Sequence, residues 1–171
     1  MKSYYSLCLL LLCLSCTKTK QTADDVEEKC DMPAIYASNA GKVNFANGVW
    51  GTITITQGDC MPKFNEKNSC STCAIQREVR VYEYTKIADA VQNKAGGPAF
   101  YDSFKTKLIQ SVQTDSKGFY QITLPDGLYT VVIVEKGLLY APLMDGLGGL
   151  SPVTVNGGKV KANLTLNYAV Y

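Results

Sequence analysis

Histidine is absent from this chain of 171 residues. Because histidine is the usual general base near neutral pH and the commonest metal ligand, hydrolases built on Ser-His-Asp or Cys-His relays are excluded. Also missing is any apolar run long enough to cross a bilayer as a helix, which takes about 20 residues. Nor is there a basic stripe. The 17 lysine and arginine side chains nearly balance 15 acids, whereas a nucleic-acid binder needs clustered cations against phosphates. No spacing of acids suggests a carboxylate pair with perturbed pKa values, so no catalytic residue, cofactor or metal site is expected.

What is present begins with the first sixteen residues, MKSYYSLCLLLLCLSC. A positive Lys2, a short apolar run from Leu7 to Leu14 and small side chains at its end make an export signal. Leu14, Ser15 and Cys16 resemble the lipobox of bacterial lipoproteins, in which cleavage leaves an N-terminal cysteine that carries lipid. Cys13 departs from that pattern, standing where the family usually has leucine. The resemblance implies a signal peptide over 1–15, lipidation such as palmitate on Cys16, and a Gram-negative outer-membrane anchor. The acids Asp24, Asp25, Glu27 and Glu28 further resemble export tags that carry some lipoproteins to the cell exterior, although they lie farther from the cysteine; an acidic linker would look the same.

From Thr17 to Lys29 the chain is polar and charged, with Val26 as its one larger aliphatic side chain. Such a stretch buries too little apolar surface to offset its ordering entropy, so a flexible tether is expected over 16–46, reaching on the order of 20 Å along its polar part. Cys30, Cys60, Cys70 and Cys73 follow it. In an exported protein four such cysteines favour two disulfides in any of three pairings, and a four-thiolate zinc site is the rival because Cys70-x-x-Cys73 has ligand spacing.

Over 47–171 the dominant signal is period-two alternation. Ile53 and Ile55 alternate with Thr52, Thr54 and Thr56, and Val79 and Val81 with Arg80 and Tyr82. From Val160 to Val170 the even-numbered positions Val160, Ala162, Leu164, Leu166, Tyr168 and Val170 form one expected face, alternating with Lys161, Asn163, Thr165 and Asn167. Turn residues at Thr114–Gly118, Leu124–Gly127 and Asn156–Gly158 punctuate these runs and read as three hairpins. Helix is scarce, with one turn expected near Ile87–Val91 inside a decorated loop from Thr85 to Thr106. A second loop, Gly58–Ile75, holds three of the four cysteines and needs them as cross-links. The predicted fold is all-β: an antiparallel sandwich of seven to eight strands with a disordered N-terminal tether.

The run TDSKGFYQITLPDGLYTVVIVEKG, Thr114 to Gly137, resembles the carboxypeptidase regulatory-like domain, a prealbumin-like (transthyretin-like) sandwich. Thr114, Asp115, Gly118, Phe119, Pro125, Gly127 and Tyr129 fill the family's turn, strand and corner positions. The resemblance implies structural roles: Asp115 with Gly118 closes one turn, Pro125 with Gly127 another, and Tyr129 bonds backbone at a sheet corner. It transfers no ligand residue. The related hydroxyisourate hydrolases need histidines and a tyrosine-arginine-glycine-serine terminus, which this chain lacks.

Arg80, Tyr82 and Tyr84, expected on an outer face, are the candidate ligand residues, since aromatic faces stack sugars; core and sheet packing is the alternative for these and for Trp50. Asp145 in a glycine-rich run is a weak calcium candidate that lacks further acids. The expected function is a non-enzymatic lipoprotein, a binding or structural module of the cell envelope. The alternative is a carbohydrate- or protein-binding accessory of nutrient uptake. The expected partners are the membrane, through the lipid, and an unknown protein or glycan.

Overall fold

The computed structural model describes residues 30–64 and 69–171. The signal peptide, Cys16 and the acidic cluster lie outside the described residues. Two sheets, of five and seven strands, pack as a sandwich with one α-helix. This is the expected all-β sandwich, built from more strands than the seven or eight expected, because both long excursions contribute strands of their own.

The first sheet is organised by β1 (Gly48–Asp59). On one side, its first half pairs antiparallel with β7 (Phe119–Thr123) and its second half with β2 (Ser71–Ala74). On the other, β11 (Lys159–Lys161) and β12 (Leu164–Val170) pair with it in parallel and in one continuous register, Trp50 opposite Lys161 and Ile53 opposite Leu164. The antiparallel expectation therefore fails at this ladder. A parallel pair forms because the last strands return from the other sheet rather than from a neighbouring hairpin.

The second sheet is centred on β8 (Gly127–Glu135), flanked on one side by β3 (Glu78–Glu83) and then β6 (Leu108–Gln113). On its other side lie β10 (Pro152–Val155) and β9 (Leu138–Tyr140), the latter followed by β5 (Phe100–Phe104) and β4 (Ala90–Gln92). Val49, Ile53, Tyr120, Ile122, Val79, Val81, Val131, Ile133 and Leu166 fill the space between the sheets. The alternation read from the sequence places these side chains inward, as burial of one sheet face requires. It lapses at the C-terminus, where Tyr168 and Val170 run past the core and are exposed.

The three turns form where the sequence places them, but none closes a hairpin. Each carries the chain from one sheet to the other: Thr114–Gly118 from β6 to β7, Leu124–Asp126 from β7 to β8, and Asn156–Gly158 from β10 to β11. Asp115 Oδ1 accepts from the N–H groups of Lys117 and Phe119 at 2.9 Å. Gly118 takes φ +70°, and a Cβ there would stand 2.4 Å from the Ile53 carbonyl oxygen. Tyr129 donates its hydroxyl to the Pro125 carbonyl at 3.0 Å, the corner bond the resemblance implied. Gly127 does not supply positive φ; it leaves room for the Tyr129 ring, 3.1 Å from where a Cβ would sit. A true two-residue hairpin joins β8 to β9 through Lys136 and Gly137, both at positive φ, which is the twist-matched turn type.

The flexible stretch expected over 16–46 is contradicted in its second half. Helix α1 (Met32–Ala40) is capped by Asp31, which accepts from the Ala34 N–H, with Pro33 in the first turn where its missing donor is harmless. Its fully buried Asn39 donates to Thr52 Oγ1 at 2.9 Å and to the Lys117 carbonyl at 3.0 Å. Lys42 bridges Asn39 and Asp115. Residues 30–46 thus already belong to the fold, because a disulfide and a buried amide supply the ordering that composition alone could not.

Three turn aspartates set the acid limit of the fold. Burial pushes the Asp115 carboxyl up, but the Lys42 ammonium and the Phe119 and Lys117 amides outweigh it and hold it below its ordinary value. The Gly157 N–H and the Asn47 amide hold Asp126 down, and the Gly149 N–H and the Tyr84 hydroxyl do the same for Asp145. Groups depressed in the folded state contribute stability above the unfolded value of about 3.9, and that stability is lost as pH falls through their folded values. Burial raises the buried Tyr120 phenol, so its contribution is complete below about pH 10 and declines above it. With no histidine to titrate between, the melting temperature should stay level from about pH 5 to 9 and fall below about pH 4. A step between pH 5 and 8 in a circular dichroism series would contradict this account.

Candidate functional site

Arg80, Tyr82 and Tyr84 do not form a platform. Arg80 is occupied by Glu78, its Nε donating to Oε1 at 2.7 Å. Tyr82 is only 7% exposed, because the segment 85–107 folds back over the outer face of the second sheet. Phe104 meets the Tyr82 ring edge-on at 5.0 Å, and Tyr101, Val132, Leu139 and Leu150 complete a second apolar cluster there. The expected loop is therefore a covering layer, carrying a 3-10 turn at Ile87–Asp89 together with β4 and β5. Alternation along β3 is the same whether or not a further layer lies above it, which is why the sequence presented Tyr82 as exposed.

Tyr84 ties down the glycine-rich loop. Its hydroxyl donates to Asp145 Oδ2 at 2.8 Å, and its ring lies where a Cβ on Gly149 would come within 2.1 Å. The other Asp145 oxygen accepts from the Leu147 and Gly149 N–H groups. Those bonds close the turn, so Asp145 acts as its structural latch. Among the described residues no group of three or more metal-ligating side chains converges. Cys70 and Cys73 separate, Cys60 pairing with Cys70 and Cys30 with Cys73; the zinc alternative and a Cys-x-x-Cys redox pair both give way to structural staples.

A cleft of about 350 Å³ opens where the two sheets part, between β10 and the β11–β12 edge. Both walls are edges: β10 pairs only with β8, and β11 and β12 only with β1, among the described residues. One wall brings Ser151, Val153 and Thr154, the other Val160, Lys161 and Asn163. Leu143 forms part of the rim and is exposed, as are the neighbouring Met144 and Leu147. Such a rim is an apolar patch beside a groove with unpaired backbone.

Ser151 is the unusual residue of this cleft. It is 3% exposed, yet its hydroxyl has no hydrogen-bond partner among the described residues. Its backbone is fully engaged, the N–H with the Leu143 carbonyl and the carbonyl with the Val131 N–H. Its φ is +39° although it is not glycine and precedes proline, a conformation that costs on the order of 1–3 kcal/mol. A buried hydroxyl without a partner costs a similar amount. The strained backbone and the unmet hydroxyl thus coincide at one residue on the cleft wall. The sequence offers no sign of this, since Ser-Pro before a strand is ordinary turn chemistry.

A second unassigned surface lies on the outer face of the first sheet. Lys161 Nζ stands 5.4 Å from the ring centroids of both Tyr36 and Trp50, Lys159 Nζ 6.0 Å from Phe45, and Lys42 Nζ 5.3 Å from Phe119. In comparisons with known proteins, no family model, no curated protein and no solved structure matches this chain.

Proposed function

We propose that this chain is a non-enzymatic, lipid-anchored binding module of the cell envelope that captures an extended polypeptide segment in the cleft between β10 and β11–β12. The observation that carries the reading is Ser151, a buried hydroxyl without a partner on a strained backbone, set in a groove walled by two unpaired strand edges. An extended peptide adds main-chain hydrogen bonds along a free edge and places alternate side chains in the adjoining pocket. The cleft volume lies near the lower end of the roughly 300–1,000 Å³ usual for ligand sites. Burial of Tyr82 takes that ring out of the outer face of β3 as a sugar-stacking surface.

The anchor belongs to the same proposal. The export signal and lipobox-like Leu14-Ser15-Cys16 support lipidation at Cys16 and an outer-membrane address, and two disulfides suit an oxidising compartment. The Tyr129 corner and the Asp115–Gly118 turn support a prealbumin-like relationship.

One experiment addresses both parts. The full chain and its Cys16→Ser counterpart, produced in a Gram-negative host, are fractionated and panned against random linear peptides. We expect the wild type in membranes, the variant in the soluble fraction, and the same peptides bound by both. Ser151→Ala should weaken those peptides roughly tenfold or more while leaving the fold as stable as before or more so, because it removes an unmet donor. Recovery of no peptide, or peptides indifferent to Ser151→Ala, overturns the groove; a Cys16→Ser chain still in membranes overturns the anchor.

A further inference from the structure

We propose that the outer face of the first sheet around Trp50 is a lipid-facing surface that seats on anionic membrane headgroups. Tyr36 from α1, Phe45 from the following loop, and Trp50 from β1 are half-buried, each presenting part of a ring to solvent. Lys159 and Lys161, both exposed, reach over these rings. Neither has an ion pair among the described residues, whereas Lys42 at the border of the patch is paired with Asp115 at 2.7 Å. Tyr36 and Trp50, each with an apolar body and a polar tip, and the apolar Phe45 ring, with lysine ammonium groups beside them, match the membrane–water boundary. There the ring enters the headgroup layer and the ammonium meets lipid phosphate.

The position of the chain entry singles out this face. Cys30 is bonded to Cys73 of β2 in the first sheet, and α1, which starts two residues later, packs across that sheet's outer side and carries Tyr36 into the patch. Thirteen residues lie between Cys16 and Cys30; a chain as flexible as their composition predicts spans roughly 20 Å. A lipid on Cys16 would hold the patch at high local concentration against the bilayer, with Lys161, which also lines the cleft, at its border and the Leu143 rim left open to a partner. That clause rests on the proposed anchor; the patch itself does not.

Trp50 is the single tryptophan of the chain, so its emission reports on this face alone. The test uses the chain from residue 16 onward with Cys16→Ser, which retains every described residue and has neither signal peptide nor lipid. With vesicles of phosphatidylglycerol and phosphatidylcholine, Trp50 emission should shift to the blue and return on raising salt. Phosphatidylcholine alone should leave it unchanged. Lys159→Ala with Lys161→Ala should weaken the partition roughly thirty-fold with an unchanged melting temperature, and Ser151→Ala should leave it untouched. Absence of a shift, an equal shift on neutral vesicles, or a response to soluble dextran sulfate without one to vesicles would each overturn the proposal. Because the assay involves neither lipidation nor peptide, its failure is separable from failure of the groove or the anchor.

Discussion

Replacing Cys30 and Cys73 together with serine is expected to lower stability by about 4 kcal/mol, and the melting temperature by roughly 8–16 °C. The pair spans 43 residues and its partner Cys60–Cys70 spans 10. Closing the longer loop removes more conformational entropy from the unfolded chain, so the shorter bridge should contribute only about 3 kcal/mol. The longer bridge has a second effect. It fastens the start of α1 to β2, and with the helix adrift the buried Asn39 amide would leave Thr52 and the Lys117 carbonyl. Loss of the first bridge should therefore also remove helical signal in the far-ultraviolet, whereas loss of the second should not. Urea denaturation of the two double-serine variants checks the order. A larger loss from Cys60–Cys70 would mean that the α1 latch contributes little.

These cysteines illustrate how much of the molecule could be read from its sequence. That they staple a β-rich domain as disulfides follows from their number and the export-signal-like start of the chain; which pairs form does not, because pairing depends on where the strands lie in space. The turns divide in the same way. Asp115 with Gly118 and Tyr129 with Pro125 are local chemistry, fixed within five residues, and they stand as expected. Whether a turn closes a hairpin or crosses between sheets is decided by distant partners, and all three cross. The two-residue hairpin between β8 and β9 uses Lys136-Gly137 without the asparagine or aspartate that usually announces such a turn.

Helix α1 was missed for a thermodynamic reason, although Asp31 and Pro33 form a readable start. Its ordering comes from Cys73, Thr52 and Lys117, none of them local. The candidate site was less legible than the fold. Arg80, Tyr82 and Tyr84 have the chemical type and strand face of a binding surface, but Glu78 engages Arg80, an overlying layer buries Tyr82 and Tyr84 latches Asp145. Ser151 carries its information in a backbone angle and a missing partner, and neither leaves a trace in residue identity.

Arg77→Ala is expected to cost about 3–5 kcal/mol, the usual penalty for stranding a buried charge. The Glu135 side chain at the end of β8 is 5% exposed, and its Oε2 accepts from Arg77 Nε at 2.5 Å. Its other oxygen accepts from the Tyr168 hydroxyl at 3.3 Å, so without Arg77 a buried carboxylate would keep one weak donor. Tyr168 belongs to β12, whose backbone is laddered to β1 as far as Val170 but whose outer half buries few side chains: Val170 is 64% exposed, and Lys136 stands over the Tyr168 ring at 5.6 Å. The Arg77–Glu135–Tyr168 relay thus ties the far end of the cleft-forming edge to the opposite sheet. Its loss should raise amide hydrogen exchange along 164–170 more than along β8. Replacing the ion pair outright, with Arg77→Leu and Glu135→Leu, should recover much of the stability, since the buried Glu135 carboxylate and its half-buried Arg77 partner are exchanged for apolar contact. That variant should nevertheless keep fast exchange in β12, because the acceptor for Tyr168 is gone. If exchange along β12 instead returned to the wild-type rate together with the melting temperature, apolar packing and not the relay would be what holds that wall of the cleft in place.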